Sequence, residues 1–318
     1  MRTLSSIAVA TTLLMPATTV FADAGIEAVG PSGPLRGSLV TVSSDAPVVL
    51  IVPGSGPTDR DGNNRRNLSA STYRLIAEGL AAKGVASVRI DKRGMFGSAG
   101  AVPDPNAVTI SDYVTDVASW IAAIRSTTKQ KCVWVLGHSE GGLVALAAAQ
   151  KNIGICGLLL AATAGRPLSD VLSAQLKSNP ANAPILEQAQ TAIDTLKTGT
   201  RFDTTGLHPG LMPLFRPQVQ GFLIDAFSYD PVKLIGAYRG PVLILQGNRD
   251  IQVGVADAGL LARAKPEAKL AIISEANHVL KQVTSDDRSA NLATYANPNL
   301  PLVAGIVDTL AVFVKLQK

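Results

Sequence analysis

The stretch VWVLGHSEGG, Val133 to Gly142, sets four apolar residues directly before a compact Gly-His-Ser-Glu-Gly-Gly. The apolar run is typical of a buried strand, and a small, apolar helical pattern follows the glycines. Gly137 to Gly141 fits the pattern G-x-S-x-G between a strand and a helix, the arrangement called a nucleophile elbow. Glycines two residues before and two after Ser139 allow a sharp turn that exposes the serine hydroxyl. The stretch therefore predicts a central strand that ends at a candidate nucleophile, Ser139.

Apolar, β-branched runs alternate with helical patterns on both sides of this stretch. After a short hairpin, the predicted elements are the strand APVVLIVPG, the helix STYRLIAEGLAAKG, the strand VASVRID, the helix SDYVTDVASWIAAIRST, the strand KCVWVLG, the helix GGLVALAAAQKN, the strand ICGLLLAAT, the strand PVLILQG, the helix VADAGLLARAK, the strand KLAIIS and a final helix near Pro301–Leu316. We expect Ser111 to cap the second of these helices. Strands that are apolar throughout and separated by helices predict an α/β fold: a mostly parallel sheet with helices on both faces.

The alternation breaks over residues 165–238, where no strand is convincing. This segment holds helical patterns and many prolines, and it is too long for a loop inside a compact domain. It is predicted to be a helical cap inserted into a core formed by residues 23–164 and 239–318.

The N-terminal residues 1–22 have the layout of a secretory signal. Arg2 precedes an apolar stretch, Ile7 to Met15, and the segment ends in small residues at Ala22. The apolar stretch is about half of the ~20 residues that span a bilayer, so we expect no membrane span. The mature chain is predicted to be exported, to the periplasm or the medium.

Composition excludes two broad classes of protein. Hydrophobic residues make up 47% of the 318 residues and charged residues 17%, which is enough apolar material for a sizeable core and excludes a disordered chain. The net charge of +5 comes from scattered Lys and Arg residues without a basic run, so no nucleic-acid partner is expected.

Two cysteines, Cys132 and Cys156, open neighbouring apolar runs. If these strands are parallel neighbours, both sulfurs lie at the same end of the sheet, and an oxidising compartment permits a disulfide. Two buried, unpaired cysteines are the alternative. The distance between the two Cα atoms decides, because a bridge requires about 7 Å or less.

A serine nucleophile needs a base, and the chain has only three histidines. His138 directly precedes Ser139 in sequence, so its side chain should point away from the hydroxyl. His208 lies in the predicted cap. His278 follows the strand KLAIIS, at the carboxyl end where chemistry gathers in such sheets, and is the best candidate base.

The base needs a carboxylate that orients it. Asp250 follows the strand PVLILQG at the same edge of the sheet, and the order Ser139, Asp250, His278 is the order expected for this arrangement. A turn or helix-cap aspartate is the alternative reading of Asp250. Three further aspartates are weaker candidates: Asp225, Asp230 and Asp257.

Acyl transfer also needs donors for an oxyanion. The backbone N–H of Glu140 is one predicted donor, and a second should come from the loop VPGSGPTDRDG after the first long strand. The N–H of Ser55 is the first choice there and that of Gly56 the second, and a tight turn without a ligand is the alternative. We expect three charged residues of this loop to form structural ion pairs: Asp59, Arg60 and Asp61.

These motifs resemble the α/β-hydrolase superfamily. GHSEGG, DKRGMFGS, LQGNRDIQV and ANHVL, together with PGSGPTDRDG, look most like its serine aminopeptidase-like branch, which includes many bacterial esterases. The resemblance covers nearly the whole mature chain and implies the α/β-hydrolase fold with a cap between strands. Many relatives carry His-Gly at the oxyanion loop where this chain has Pro53-Gly54, a change that a backbone donor survives. DKRGMFGS is assigned a structural role.

The sequence thus predicts an exported serine hydrolase that cleaves small carboxylic esters through a Ser139–His278–Asp250 triad and an acyl-enzyme. No metal or organic cofactor is expected. One alternative is a peptidase that releases N-terminal residues and binds the free amine through Glu187 or Asp194. The other is a silent binding protein of the same fold. Four cap residues can line an acyl pocket or form the core of the cap itself: Leu211, Met212, Phe215 and Phe222.

Overall fold

The computed structural model describes residues 23–65, 67–151 and 153–317, and the predicted signal segment 1–22 lies outside these residues. The described part contains ten strands. They are β1 (Asp23–Ala28), β2 (Leu35–Val40), β3 (Val48–Val52), β4 (Asn63–Asn64), β5 (Leu68–Ser69), β6 (Ala86–Ile90), β7 (Val133–His138), β8 (Ile155–Ala161), β9 (Val242–Gly247) and β10 (Lys269–Ile273).

Eight of the strands form one sheet in the order β1-β2-β6-β3-β7-β8-β9-β10. The hairpin β1–β2 joins the edge of the sheet antiparallel to β6, and the six strands from β6 to β10 are parallel. Strand β7 lies near the middle of the sheet, between β3 and β8, so its carboxyl end lies near the centre of one edge of the sheet. The short pair β4–β5 forms a separate antiparallel ribbon.

Eleven α-helices accompany the described strands. They are α1 (Thr72–Ala82), α2 (Ile110–Thr128), α3 (Glu140–Ala148), α4 (Leu168–Lys177), α5 (Leu186–Lys197), α6 (Met212–Phe215), α7 (Pro217–Phe227), α8 (Pro231–Ala237), α9 (Val255–Ala264), α10 (Arg288–Ala293) and α11 (Ile306–Leu316). Among the described residues, no helix has both the length and the apolar character needed to cross a bilayer.

Both faces of the sheet are buried at its centre, which explains why β3, β7, β8 and β9 are almost entirely apolar, whereas the edge strand β10 is largely exposed. Along β3, Leu50 packs into a core shared with α2 and α3, whereas Ile51 packs into a second core shared with α1 and α11. Successive strand residues point to opposite faces, so a strand covered on both sides needs apolar residues at every position. This is the mostly parallel, doubly covered sheet that the sequence predicts.

The chain between β8 and β9 is helical and holds α4 to α8. Helices α4 to α7 pack around an apolar core of their own, whereas α8 packs Ile235 into the main core. The buried residues of the separate core are Ala189, Ala192, Ile193, Leu196, Leu211, Phe215, Leu223 and Phe227. The boundaries of the cap at residues 165 and 238 stay a prediction.

Two details of the sequence-based prediction are wrong. Helix α2 is capped by Thr109 instead of Ser111, because Thr109 and Asp112 exchange side-chain and backbone hydrogen bonds in a capping box. Ser111 lies inside the helix, and its hydroxyl donates to Asp225 of α7 at 3.0 Å. The last helix begins at Ile306, since Leu302 bridges Lys281 and Val303 donates to Leu280, which keeps these residues out of the helix.

The structure joins Cys132 to Cys156 in a disulfide, with a Cα–Cα distance of 5.1 Å. Strands β7 and β8 are parallel neighbours in the sheet, with Val133 opposite Ile155. The two cysteines therefore lie side by side at the amino end of the sheet, the edge opposite to the end of β7.

Replacing both cysteines by serine should lower the free energy of unfolding by about 3 kcal/mol, since the bridge closes a loop of moderate length in the unfolded chain. The sequence separation is 24 residues. Urea unfolding under oxidising conditions measures the change, and the wild type in dithiothreitol is the control, which should match the double variant. Equal urea midpoints of the oxidised wild type and the variant would contradict the prediction.

Candidate active site

Ser139 occupies a strained turn between β7 and α3. Its backbone has φ 54° and ψ −121°, a conformation that L-residues with side chains rarely adopt. The turn is held by hydrogen bonds from Ser139 N–H to Ala161 O and from Gly142 N–H to Ser139 O, each 2.9 Å. Such strain persists only where surrounding structure enforces it, and it concentrates at functional sites. The turn presents the hydroxyl of Ser139 at the carboxyl edge of the sheet.

His278 and Asp250 meet in the loops after β10 and β9. The distance from His278 Nδ1 to Asp250 Oδ2 is 2.8 Å, and the Asp250 side chain is fully buried. The other carboxylate oxygen accepts from the backbone N–H groups of Gln252 and Val253. Burial opposes ionisation of this carboxyl, but the adjacent His278 and these hydrogen bonds hold the pKa of Asp250 below its ordinary value.

The ionised carboxylate fixes the tautomer of His278. An acceptor at Nδ1 keeps the proton on that nitrogen, which leaves Nε2 as the basic one. His278 and Ser139 line one cavity of about 650 Å³. Among the described residues, no hydrogen bond joins the Ser139 hydroxyl to His278.

Part of the lining of this cavity comes from two segments that the sequence does not predict. One is the ribbon around β4–β5, and the other is the end of α10 with the turn that follows it. Their side chains are neutral, and the apolar ones are Leu68, Leu292, Ala293 and Ala296. Two-residue strands and a single-turn helix carry too short a pattern for sequence periodicity to find them.

The cap residues considered for an acyl pocket lie elsewhere. Leu211 and Phe215 are fully buried in the core of the cap, and Phe222 packs between that core and the main one. Met212 lines a second cavity of about 770 Å³, which also contacts Gly56 of the oxyanion loop. These four residues do not line the cavity that contains Ser139.

The two preferred oxyanion donors lie beside the serine. Ser55 lines the Ser139 cavity, and a Cβ atom built on its neighbour Gly54 would be 3.3 Å from Ser139 Cβ. Glu140 is the first residue of α3, so its N–H has no acceptor within the helix. Gly56 faces the second cavity instead, and its carbonyl accepts from Thr58 N–H. This geometry favours Ser55 over Gly56, and the assignment stays a prediction.

The remaining histidines are engaged in other contacts. His138 is buried, with its Nδ1 3.0 Å from the Tyr73 hydroxyl and its Nε2 2.8 Å from the carbonyl of His278. Burial and the nearby His278 lower the pKa of His138 to about 4, so it is neutral at physiological pH. His208 accepts from Gly210 N–H in the cap. Neither matches the geometry of His278.

Arg60 and Asp61, in the loop after β3, form the expected ion pairs, whereas Asp59 accepts backbone hydrogen bonds instead. Arg60 binds Asp91, and Asp61 binds Arg89. Asp59 accepts from the backbone N–H groups of Asp61 and Asn63 and so shapes the turn. Asp91, the first residue of the motif DKRGMFGS, therefore has a structural role.

The weaker aspartates have structural partners. Asp225 accepts from Ser111, Asp230 caps α8, and Asp257 binds Arg166.

Comparison with known proteins agrees with this architecture. Residues 63–206 match the family model described as serine aminopeptidase, S33. An esterase from Pyrococcus furiosus is similar in structure at 16% identity, with a TM-score of 0.58, over 96% of this chain and 97% of that one. Est1E from Butyrivibrio proteoclasticus is similar at 16% identity, with a TM-score of 0.56, over 92% of this chain and 99% of that one. A comparison with curated protein sequences found no significant match.

The mostly parallel sheet with a strained serine turn at its centre is the α/β-hydrolase fold. Through the match over residues 63–206, the chain resembles the serine aminopeptidase-like branch of proteins with this fold. At this level of identity, the likeness to the two solved structures shows the shared fold.

Proposed function

We propose that the chain is an exported serine hydrolase that cleaves carboxylic esters through an acyl-enzyme. One observation carries the proposal: the strained Ser139 shares a cavity with His278, and Nδ1 of His278 is held by the buried Asp250. The names of the similar structures, both esterases, are consistent with it. Export rests on the signal-like segment 1–22 and is consistent with the disulfide.

The proposed reaction has two halves. Ser139 Oγ attacks the ester carbonyl carbon while His278 Nε2 takes its proton, and the oxyanion accepts from the N–H groups of Ser55 and Glu140. The alcohol then leaves with the proton from His278, which yields the acyl-enzyme. Water, deprotonated by His278, attacks this ester, and Ser139 departs reprotonated as the carboxylic acid is released. Asp250 stabilises the charged imidazole throughout.

The lining of the cavity favours an uncharged ester over a peptide with a free amine. The described residues that line it include no Asp, Glu, Lys or Arg side chain. An aminopeptidase needs a carboxylate to hold the ammonium group of its substrate. Glu187 lines a separate cavity on the cap, and Asp194 accepts from Gln190 on the cap surface. Ester hydrolysis is therefore preferred to the peptidase alternative.

A fluorophosphonate probe tests the enzyme class. We expect wild type to be labelled at the peptide that contains Ser139, and Ser139→Ala to remain unlabelled. Ser111→Ala is the matched control and should label like wild type, since Ser111 lies in α2 and contacts the cap. Folded wild type that takes up no label would exclude the serine hydrolase and favour the silent binding protein.

A substrate panel then separates the esterase from the peptidase. Nitrophenyl esters of increasing acyl length are run beside aminoacyl nitroanilides on the same preparation. We expect turnover of the esters, with the preferred acyl length limited by the ~650 Å³ cavity. Faster turnover of the nitroanilides would support the peptidase.

A further inference from the structure

Gly54 precedes the proposed oxyanion donor Ser55, and both of its polar backbone groups are held by buried side chains. Lys92 Nζ donates to the Gly54 carbonyl at 2.7 Å, and the Gly54 N–H donates to the Tyr73 hydroxyl at 2.9 Å. The Lys92 side chain is only 4% exposed. Tyr73 is likewise buried. The backbone of the oxyanion loop is therefore fixed from both sides immediately before the donor.

The peptide between Gly54 and Ser55 transmits this contact to the active site. Its carbonyl and N–H lie in one plane and point in opposite directions, because the peptide bond is planar and trans. An ammonium that holds the carbonyl of Gly54 therefore turns the N–H of Ser55 away from Lys92. A charge at the carbonyl oxygen also polarises the peptide and strengthens its N–H as a donor.

Lys92 also contacts the side chain of Glu140, the residue whose backbone N–H is the second proposed donor. Its Nζ lies 3.6 Å from Glu140 Oε1, and this carboxylate is 5% exposed. Nζ is 5.2 Å from the centre of the Tyr113 ring, which adds a cation–π contact. Burial lowers the pKa of Lys92, and the charge of Glu140 opposes that shift. One ammonium thus connects the peptide of Ser55 to the residue whose N–H is the other donor.

Tyr73 links the same loop to the base. Since its hydroxyl accepts from Gly54 N–H, its own proton donates to His138 Nδ1, and His138 Nε2–H donates to the carbonyl of His278. A neutral imidazole carries one ring proton, and these two contacts place that proton of His138 on Nε2. The hydrogen-bond chain joins the oxyanion loop, the elbow and the loop that carries the base.

We infer that Lys92 and Tyr73 are positioning residues of the oxyanion hole, which clamp Gly54 so that the Ser55 N–H is presented to the reacting carbonyl. The inference rests on the proposed function and deepens it. It gives DKRGMFGS a role in catalysis through Lys92, beyond the structural role of its neighbours Asp91 and Arg93.

Kinetics of Lys92→Met test the inference. Loss of one oxyanion donor lowers kcat by about 10²- to 10³-fold, and a misplaced donor should cost about 10²-fold. KM for a nitrophenyl ester should stay near the wild-type value, because the oxyanion contact forms only in the transition state. The affinity for a trifluoromethyl ketone, whose adduct with Ser139 carries an oxyanion, should fall by the same factor as kcat.

Lys265→Met is the matched control. Lys265 is equally buried and also binds a backbone carbonyl, that of Tyr238 at 2.8 Å, and a glutamate, Glu267 at 2.7 Å. It lies at the end of α9, far along the chain from the oxyanion loop. Its loss should lower stability without changing kcat or ketone affinity. A purely structural Lys92 would behave in the same way, and that result would overturn the inference.

Tyr73→Phe keeps the test decisive if Lys92→Met does not fold. The variant retains the ring and removes the hydroxyl that holds Gly54 and donates to His138, so kcat and ketone affinity should fall together while KM holds. Unchanged values would overturn the inference. If wild type hydrolyses no ester and takes up no fluorophosphonate, the proposed function itself fails before either variant is measured, so the two failures are distinguishable.

Discussion

Asp250→Asn is expected to lower kcat for ester hydrolysis by about 10⁴-fold while the chain stays folded. The asparagine carbonyl can still accept from the backbone N–H groups of Gln252 and Val253, so the turn after β9 is retained. Its amide group then faces His278 Nδ1, where the carboxylate was. Two donors cannot share that contact.

The imidazole must respond by changing its tautomer. With an amide donor at Nδ1, the stable neutral form places the ring proton on Nε2, the nitrogen that should accept the proton of Ser139. Nε2 of His278 then cannot accept the proton of Ser139, although the two side chains keep their positions. The charge that would stabilise the imidazolium is lost as well.

Steady-state kinetics and the rate of fluorophosphonate labelling measure this effect, and both should fall together. Asp257→Asn is the matched control, because Asp257 is also fully buried and binds Arg166 and Gly165 N–H away from the cavity. The control should lose stability but keep the kcat of its folded fraction. If Asp250→Asn retained most of the wild-type kcat, Asp250 would be a turn aspartate and nothing more.

The elements that the sequence predicts best are those whose signal is local. The central strands β3, β7, β8 and β9 are buried on both faces and read as continuous apolar runs, so their positions along the chain could be predicted from the sequence. Ser139 was recognisable because its glycines surround it within five residues. Asp250 and His278 could be inferred because a parallel sheet gathers the carboxyl ends of its strands at one edge.

The contacts that depend on tertiary structure had no such signal. Tyr73 lies 65 positions before His138, and Gly54 lies 38 positions before Lys92. A lysine in a charged motif is usually solvated, and the sequence contains nothing that marks Lys92 as buried. His138 illustrates the same limit: the sequence shows that it is a poor base, but only packing reveals that it supports the loop of His278.

Gly141→Ala is expected to destabilise the fold by about 3 kcal/mol, the upper end of the usual cost of overpacking. A Cβ atom at this position would lie 2.3 Å from the carbonyl oxygen of Val52 and 2.6 Å from that of Pro53. Both obstacles are backbone atoms at the end of β3, so no side-chain rotation relieves the clash. Either α3 moves away from the sheet or the end of β3 shifts.

Either movement also reaches the site, because Val52 and Pro53 lead directly into Gly54 and the oxyanion loop. We therefore expect kcat of the folded variant to fall together with its urea midpoint, since the two proposed oxyanion donors sit on the two elements that are pushed apart. Gly100→Ala is the control: a Cβ atom built there meets nothing within 4 Å, and neither stability nor kcat should change. Wild-type stability in Gly141→Ala would mean that α3 and β3 are not packed as closely as this elbow requires.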